Sequence, residues 1–459
     1  MWLLAGCPAT RSPQPPGLSR GVAEATLEIG QTGRVLTGIA GDGATVYAAL
    51  TAHASAGSVL PATARSSDDA AARSSDAATS TSTTTIEAIR IASGATPTWR
   101  TELAGHAGPL AIAGAQLVAA FGGTGSVAGA TVRGEPGAVI VALDARTGAP
   151  GWKLAIDATE WAMIAAIAAA PDGIAPDGIV VGGAFSGTLR IGPRVVSSAG
   201  LSDGFVARIT AGGEISWLVR IGGPGADAVR GVAADADRIA VAGTFAAGAD
   251  LLGEPLPAID ERSPRSDGFV AELDAAGARR WVQCFGGDAD DAVAGVAIDA
   301  RGRVVVAATA RGTVRIAGDE LTARGSADGL VVWWSPDGTR LGAVLLGGDD
   351  FDGLAAIVPA GERVIAAGFY AGAIRLGDRA LTAGAGDAAF LAELDATGRV
   401  ARAWSLGGDG REEIAALAAI RGGVLAGVAH TADLRLDGAT LPAPAEPMAG
   451  AAILVRAAD

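Results

Sequence analysis

The sequence predicts an all-β chain folded as a β-propeller, most simply of seven blades with four antiparallel strands each. Three observations predict it. Units of about 60 residues recur along the chain. Each unit holds four short strand-like runs divided by turn residues such as Pro336-Asp337-Gly338. Long runs with a 3.6-residue apolar period are scarce, so helices should be few. A four-stranded blade buries its faces only against its neighbours, which is why such units come in closed rings.

The repeat is carried by four markers. Ser216-Trp217-Leu218-Val219-Arg220-Ile221-Gly222-Gly223 returns as Arg280-Trp281-Val282-Gln283-Cys284-Phe285-Gly286-Gly287, then as Leu345-Leu346-Gly347-Gly348 and Trp404-Ser405-Leu406-Gly407-Gly408. The steps between these glycine pairs are 64, 61 and 60 residues. Ser202-Asp203-Gly204-Phe205-Val206, Ser266-Asp267-Gly268-Phe269-Val270, Ala327-Asp328-Gly329-Leu330-Val331 and Gly386-Asp387-Ala388-Ala389-Phe390 keep nearly the same steps. A β-type run precedes each of these, as at Ile239–Gly243 and Val364–Gly368, and a short segment often ending in glycine follows it, as at Ile374-Arg375-Leu376-Gly377.

One unit shows the logic. Ala294–Asp299 is a first strand, Arg301-Gly302 a turn and Val304–Ala308 a second strand. After the excursion Arg311–Ala327, Gly329–Trp334 is a third strand and Leu341–Leu346 a fourth. Fourth strands are marked by Trp99, Trp152, Trp217, Trp281, Leu341–Leu346 and Trp404. The last unit, from Ile414, stops after a third strand at Ala451–Arg456, so its outer strand should come from Ala25–Ile29 at the other end of the chain. Trp161–Ala170 suits strand and helix equally. Two segments fall outside the pattern. Residues 1–22 read as a truncated signal sequence and tether, leaving 23–459 as a single domain. Residues 52–84, rich in Ala, Ser, Thr and Asp, read as a disordered insertion in the first blade.

Composition narrows the function classes. Acids outnumber bases by 49 to 35, the net charge is −14, and only 4% of residues are aromatic. The core must therefore be mostly Ala, Val, Leu and Ile. The acidic balance argues against nucleic acid and against an anionic membrane surface, because both need basic patches. No stretch approaches the ~18 uninterrupted apolar residues of a spanning helix. Lysine occurs once, at Lys153, and asparagine not at all, so turns use Asp-Gly.

Two cysteines are too few for a disulfide framework. Leu4-Ala5-Gly6-Cys7 resembles the lipobox of bacterial lipoproteins, and the polar, Pro-rich stretch Pro8–Arg20 would serve as its tether. The apolar stretch before it is shorter than the ~7–15 residues of a signal h-region. That likeness implies acylation of Cys7, an extracytoplasmic location, and membrane association only through the lipid. Cys284, in a strand-like run, reads as a small buried hydrophobe.

From about residue 160 onward the units resemble bacterial β-propeller repeats of the SBBP type. The matching features are Ile221-Gly222-Gly223, the acidic loop to Asp227, the run Ile239–Gly243 and Asp267-Gly268-Phe269-Val270-Ala271. This resemblance implies a propeller in an extracytoplasmic setting and no reaction. Locally, Ala142-Leu143-Asp144-Ala145-Arg146-Thr147-Gly148-Ala149-Pro150-Gly151-Trp152 is similar to the tryptophan-docking motif of quinoprotein propellers. Gly213 with Trp217 and Gly277 with Trp281 keep its second half. In such a motif glycine allows a tight turn against the indole, and the motif locks blades in non-enzymes too.

The most regular polar feature is an acid four residues after each glycine pair's second member: Asp227, Asp291, Asp352 and Glu412. These acids should gather on one face around the axis. As a ring they would hold Ca²⁺ or a cationic ligand. As single residues they would accept backbone N–H bonds and tie one blade to the next. The spacing does not match an EF-hand loop. Gly200-Leu201-Ser202-Asp203-Gly204 fits G-x-S-x-G, but a strand rather than a helix follows it, against the nucleophile-elbow requirement. His53, His106 and His430 form no H-x-x-x-H pair. Trp333-Trp334 should place its indoles on opposite sheet faces. These readings favour a non-catalytic binding or scaffold protein with a protein, peptide or glycan partner and no resident cofactor. The alternative is a propeller enzyme, either a quinoprotein-like dehydrogenase or a lyase or hydrolase using face carboxylates.

Overall fold

The computed structural model describes residues 25–28, 34–52, 83–90 and 97–455, apart from short breaks at 43, 124–125, 134–136, 172–177, 258, 260–264, 385, 421–422, 437–438, 442 and 444–449. Every regular element among them is a β-strand. No helix among them is long and apolar enough to cross a membrane.

Six blades are each built from one continuous stretch of chain. Their innermost strands are Arg34–Gly41, His106–Ala113, Trp161–Ala170, Ala228–Asp235, Ala292–Ile298 and Gly353–Ala360. In each, the next three long strands pair outward in chain order, all antiparallel. A further sheet is made from both ends of the chain. Glu412–Ile420, Gly423–His430 and Gly450–Val455 pair in that order, and Ala25–Glu28 adds as the outer strand. Ala25 lies opposite Leu454 and Glu28 opposite Ala451. Glu412–Ile420 packs on Gly353–Ala360 on one side and on Arg34–Gly41 on the other, so the ring closes. The closing strand is the one expected from the incomplete last unit.

The ten-residue run Trp161–Ala170 is a strand, the innermost of the third blade. The expected insertion at 52–84 is too wide at both ends. Ala52 and Thr83 lie opposite each other in adjacent strands, Thr45–Ala52 and Thr83–Arg90. Residues 53–82 lie outside the described residues, as do residues 1–24 with Cys7.

The excursions between second and third strands are not plain loops. Thr188–Ile191 and Arg194–Ser197 of the third blade form a hairpin that pairs with Pro150–Ala158, the outer strand of the second. The same device joins Asp250–Leu251 to Ile215–Gly222, Thr313–Ile316 to Arg279–Gly287, and Leu434–Leu436 to Val400–Gly407. The third, fourth and fifth blades and the closing sheet thus each lend a hairpin to the sheet before them. This covers an outer edge that would otherwise present unpaired backbone groups. The hairpin Ala373–Leu376 with Arg379–Thr382 touches the fifth blade through a single bridge, Gly348 to Ile374.

The apolar clusters sit between successive blades. Phe185 meets Phe205 edge to face, and Phe245 meets Phe269 in the same way, so the few aromatic residues are spent inside. Trp333 and Trp334 are both buried, one on each side of the fifth blade's sheet, as alternation requires. Trp404 does not belong with the other tryptophans. It stands three residues before Gly407, whereas Trp217 and Trp281 stand five before Gly222 and Gly286, and it is buried between blades.

Those other tryptophans dock between blades. Trp99, Trp152, Trp217 and Trp281 donate their indole N–H to Ala145, Ala211, Ala275 and Pro336 carbonyls, each in a turn of the next blade, at 2.8–3.1 Å. Gly213 shows why that turn needs glycine. Its φ is +85°, and a Cβ there would fall 2.6 Å from the Trp152 ring.

Candidate functional site: the repeated carboxylates

Each acid of the repeat begins or immediately precedes an innermost strand, in the loop arriving from the preceding blade. Its own N–H donates to a carbonyl just before or at the start of that preceding blade's third strand. Asp227 donates to Ser202 (2.8 Å), Asp291 to Ser266 (3.1 Å), Asp352 to Ala327 (2.9 Å) and Glu412 to Asp387 (3.3 Å). The carboxylates then turn inward and are at most 2% exposed.

Asp227 accepts from the Gly223 N–H and the Ala246 N–H, both at 2.7 Å. Asp352 repeats this with Gly348 (2.5 Å) and Ala371 (3.2 Å). One carboxylate therefore joins the loop from the preceding blade to the turn after the second strand of its own blade. Asp291 makes only the second bond, from the Arg311 N–H at 3.1 Å, and its Oδ2 has no partner among the described residues. Glu412, one methylene longer, approaches Gly408 without closing a bond. There Thr431 holds the turn instead, its Oγ1 accepting from the Arg411 N–H at 2.8 Å.

A second column of acids faces the first. Asp203, Asp267 and Asp328 open the third strands and are buried. They accept N–H bonds from Ala199 (3.1 Å), Ile259 (3.1 Å) and Arg324 (2.9 Å). Asp203 also takes Arg220 at 2.5 Å. A Cβ at Gly222 would lie 2.7 Å from Asp203 Cγ and 2.9 Å from Asp227 Oδ2, so the two carboxylates flank that glycine. Burial, more than the neighbouring charge, pushes Asp227 and Asp352 up to about 6 and Asp291 to about 7. Burial likewise takes Glu412 to about 7.

The acids thus meet in twos, within blade boundaries. Among the described residues no three of His, Cys, Asp or Glu converge where one metal ion could sit. The second column stands in the sequence as the Asp of the Asp-Gly-Phe-Val marker. Its partnership with the first becomes visible only when the loops are folded onto each other. On the opposite face, buried Glu272 is held by Arg238 and by Arg280 (3.3 Å), and buried Glu393 by Arg363 (3.1 Å) and Arg402 (3.5 Å).

The remaining sequence candidates occupy structural positions. Asp144 Oδ1 accepts from the N–H groups of Arg146 (3.1 Å) and Thr147 (2.8 Å), shaping the turn that receives Trp99. Ser202 leads directly into the strand Asp203–Ile209 and its Oγ donates to the Asp227 carbonyl at 3.4 Å. Cys284 is buried, which drives its thiol pKa far up. His430 is buried with Nδ1 at 2.8 Å from the Ala432 carbonyl. His53 lies outside the described residues.

Strand order, ring closure and interblade docking define the chain as a β-propeller. No family model matches it, and no curated protein does. Among solved structures it is similar to BamB from Moraxella catarrhalis, with 12% identity, a TM-score of 0.40, and 92% of this chain and 85% of that one covered. The β-propeller domain of the Trilobed protease from Pyrococcus furiosus gives 10%, 0.31, 73% and 94%. A Bacillus licheniformis rhamnogalacturonan lyase gives 11%, 0.28, 92% and 77%.

Proposed function

We propose that this propeller is a non-catalytic binding or scaffold module of the bacterial cell envelope, anchored by lipid on Cys7. It would present its hairpins and the loops beside them to a protein, peptide or glycan. The observation that carries the reading is how the polar repeat is used. The carboxylates common to successive blades are turned inward, and those of Asp227, Asp291 and Asp352 are bonded to backbone that joins one blade to the next. What differs from blade to blade is the set of hairpins and the loops beside them, where a rigid scaffold tolerates change. Leu201, Leu252 and Val195, on the loops and hairpins of the third and fourth blades, are 74%, 49% and 44% exposed. Apolar side chains held out on such loops suit contact with a partner.

The enzyme alternative would use Asp291 or Glu412, which among the described residues leave one and two oxygens without a partner and whose pKa values lie near 7. Both are 2% exposed, so a substrate would have to open the blade boundary to reach them.

The anchor is tested by intact mass and detergent partitioning of the protein expressed from its full gene in a bacterial host. The expected result is a diacylglyceryl mass on Cys7 and detergent-phase partitioning, both lost in Cys7→Ser. An unmodified, aqueous protein would overturn the envelope anchor.

A further inference from the structure

The innermost strands share a β-bulge, one extra residue that no residue of the second strand opposes. It falls at Thr37 in the first blade, Gly108-Pro109 in the second, Ala165 in the third, and Ala294 and Ala355 in the fifth and sixth. In the closing sheet it is Ala415. In the fourth blade it is Arg230, between Val229 opposite Gly243 and Gly231 opposite Ala242. The segments are otherwise close copies: Asp227-Ala228-Val229-Arg230-Gly231-Val232 against Asp291-Ala292-Val293-Ala294-Gly295-Val296. One guanidinium therefore stands on the strand nearest the axis, in a column whose other members are small.

That guanidinium has no counter-charge. It makes no hydrogen bond or ion pair among the described residues, although it is partly buried, and that burial alone acts to lower its pKa. Asp227, three residues earlier, is taken up by Gly223 and Ala246. Elsewhere several half-buried arginines are paired with acids, as Arg220 with Asp203 and Asp250 and Arg238 with Glu272. A withdrawn charge without a partner is costly, and an arginine fork is built to take an oxyanion through two parallel N–H bonds. We propose that Arg230 forms an anion site on the fourth blade's innermost strand, beside the propeller axis, taking a carboxylate or phosphate-type oxyanion.

The test is calorimetric titration of the whole chain and of Arg230→Ala with inorganic phosphate and with acetate, at ionic strength held constant with chloride. Arg230→Ala gives the fourth blade the residue its neighbours carry at this position, so the fold is expected to survive. The wild type should bind, and Arg230→Ala should bind about tenfold more weakly or not at all. A response to phosphate alone identifies a free tetrahedral oxyanion as the ligand, and a response to acetate as well identifies a carboxylate. In chloride, thermal unfolding of Arg230→Ala should be no earlier than that of the wild type. Equal binding by both proteins, or none by either, would overturn the site. So would an early-melting Arg230→Ala that leaves phosphate binding unchanged, because it would make Arg230 a packing residue.

Discussion

Removing the chain through Glu28 is expected to lower stability by about 4 kcal/mol, on the basis of about four ladder hydrogen bonds at ~1 kcal/mol each. The lost segment, Ala25–Glu28, is the outer strand of the sheet that joins the two ends of the ring. Without it Gly450–Val455 becomes an open edge along its whole length, a template for pairing with a second molecule. Denaturant unfolding should show the lowered midpoint, and light scattering should show self-association absent from the intact chain. An unchanged midpoint after truncation would mean that the ring closes without this strand.

Asp227→Ala is expected to cost about 3 kcal/mol, since it strands the buried N–H groups of Gly223 and Ala246 at ~1–3 kcal/mol each. Asp227→Asn should cost less than half as much, because its amide oxygen can still accept one of the two. The same comparison at Asp291 should be flatter, because that carboxylate accepts a single bond, from Arg311. Urea unfolding of the four variants checks the order. If Asp227→Asn fell as far as Asp227→Ala, the charge itself rather than the two bonds would be what the loop requires.

The fold was legible because its strongest constraints are local. A Gly-Gly pair after an outer strand and Asp-Gly before a third strand mark where the chain must turn, and they recur at nearly equal steps. The incomplete last unit pointed to Ala25–Ile29, of which Ala25–Glu28 forms the strand, because a blade missing its outer strand leaves an open edge. Trp404 marks a fourth strand as expected, Val400–Gly407, yet it stands two residues nearer the glycine pair than Trp217 and Trp281 do and is buried between blades. The hairpins lent between blades were hidden, since Thr188–Ile191 and Asp250–Leu251 are two to four residues long and pair with a strand of another unit. Of the candidate site, Asp227, Asp291, Asp352 and Glu412 were found by spacing. Their partners Asp203, Asp267 and Asp328 were not recognised as such, because nothing in a linear repeat shows which loops fold together. Arg230 became distinctive only once the bulge register aligned it with Ala294 and Ala355.

The most direct test of whether the repeated carboxylates are interblade locks is the unfolding midpoint between pH 8 and pH 5, with and without calcium. Their folded pKa values, about 6 to 7, lie above the ordinary 3.8 for Asp and 4.5 for Glu. The native state therefore binds protons more tightly than the unfolded chain. Stability is gained as pH falls through 7 and 6, and is lost as pH rises through the same range. Locks of this kind give a midpoint that climbs from pH 8 to pH 5 and does not respond to calcium. The combined variant Asp227→Asn, Asp291→Asn, Asp352→Asn and Glu412→Gln should lose most of that slope. A wild-type midpoint that rises with calcium at pH 8, in a way the combined variant does not share, would contradict the locks and make the acids a cation-binding ring.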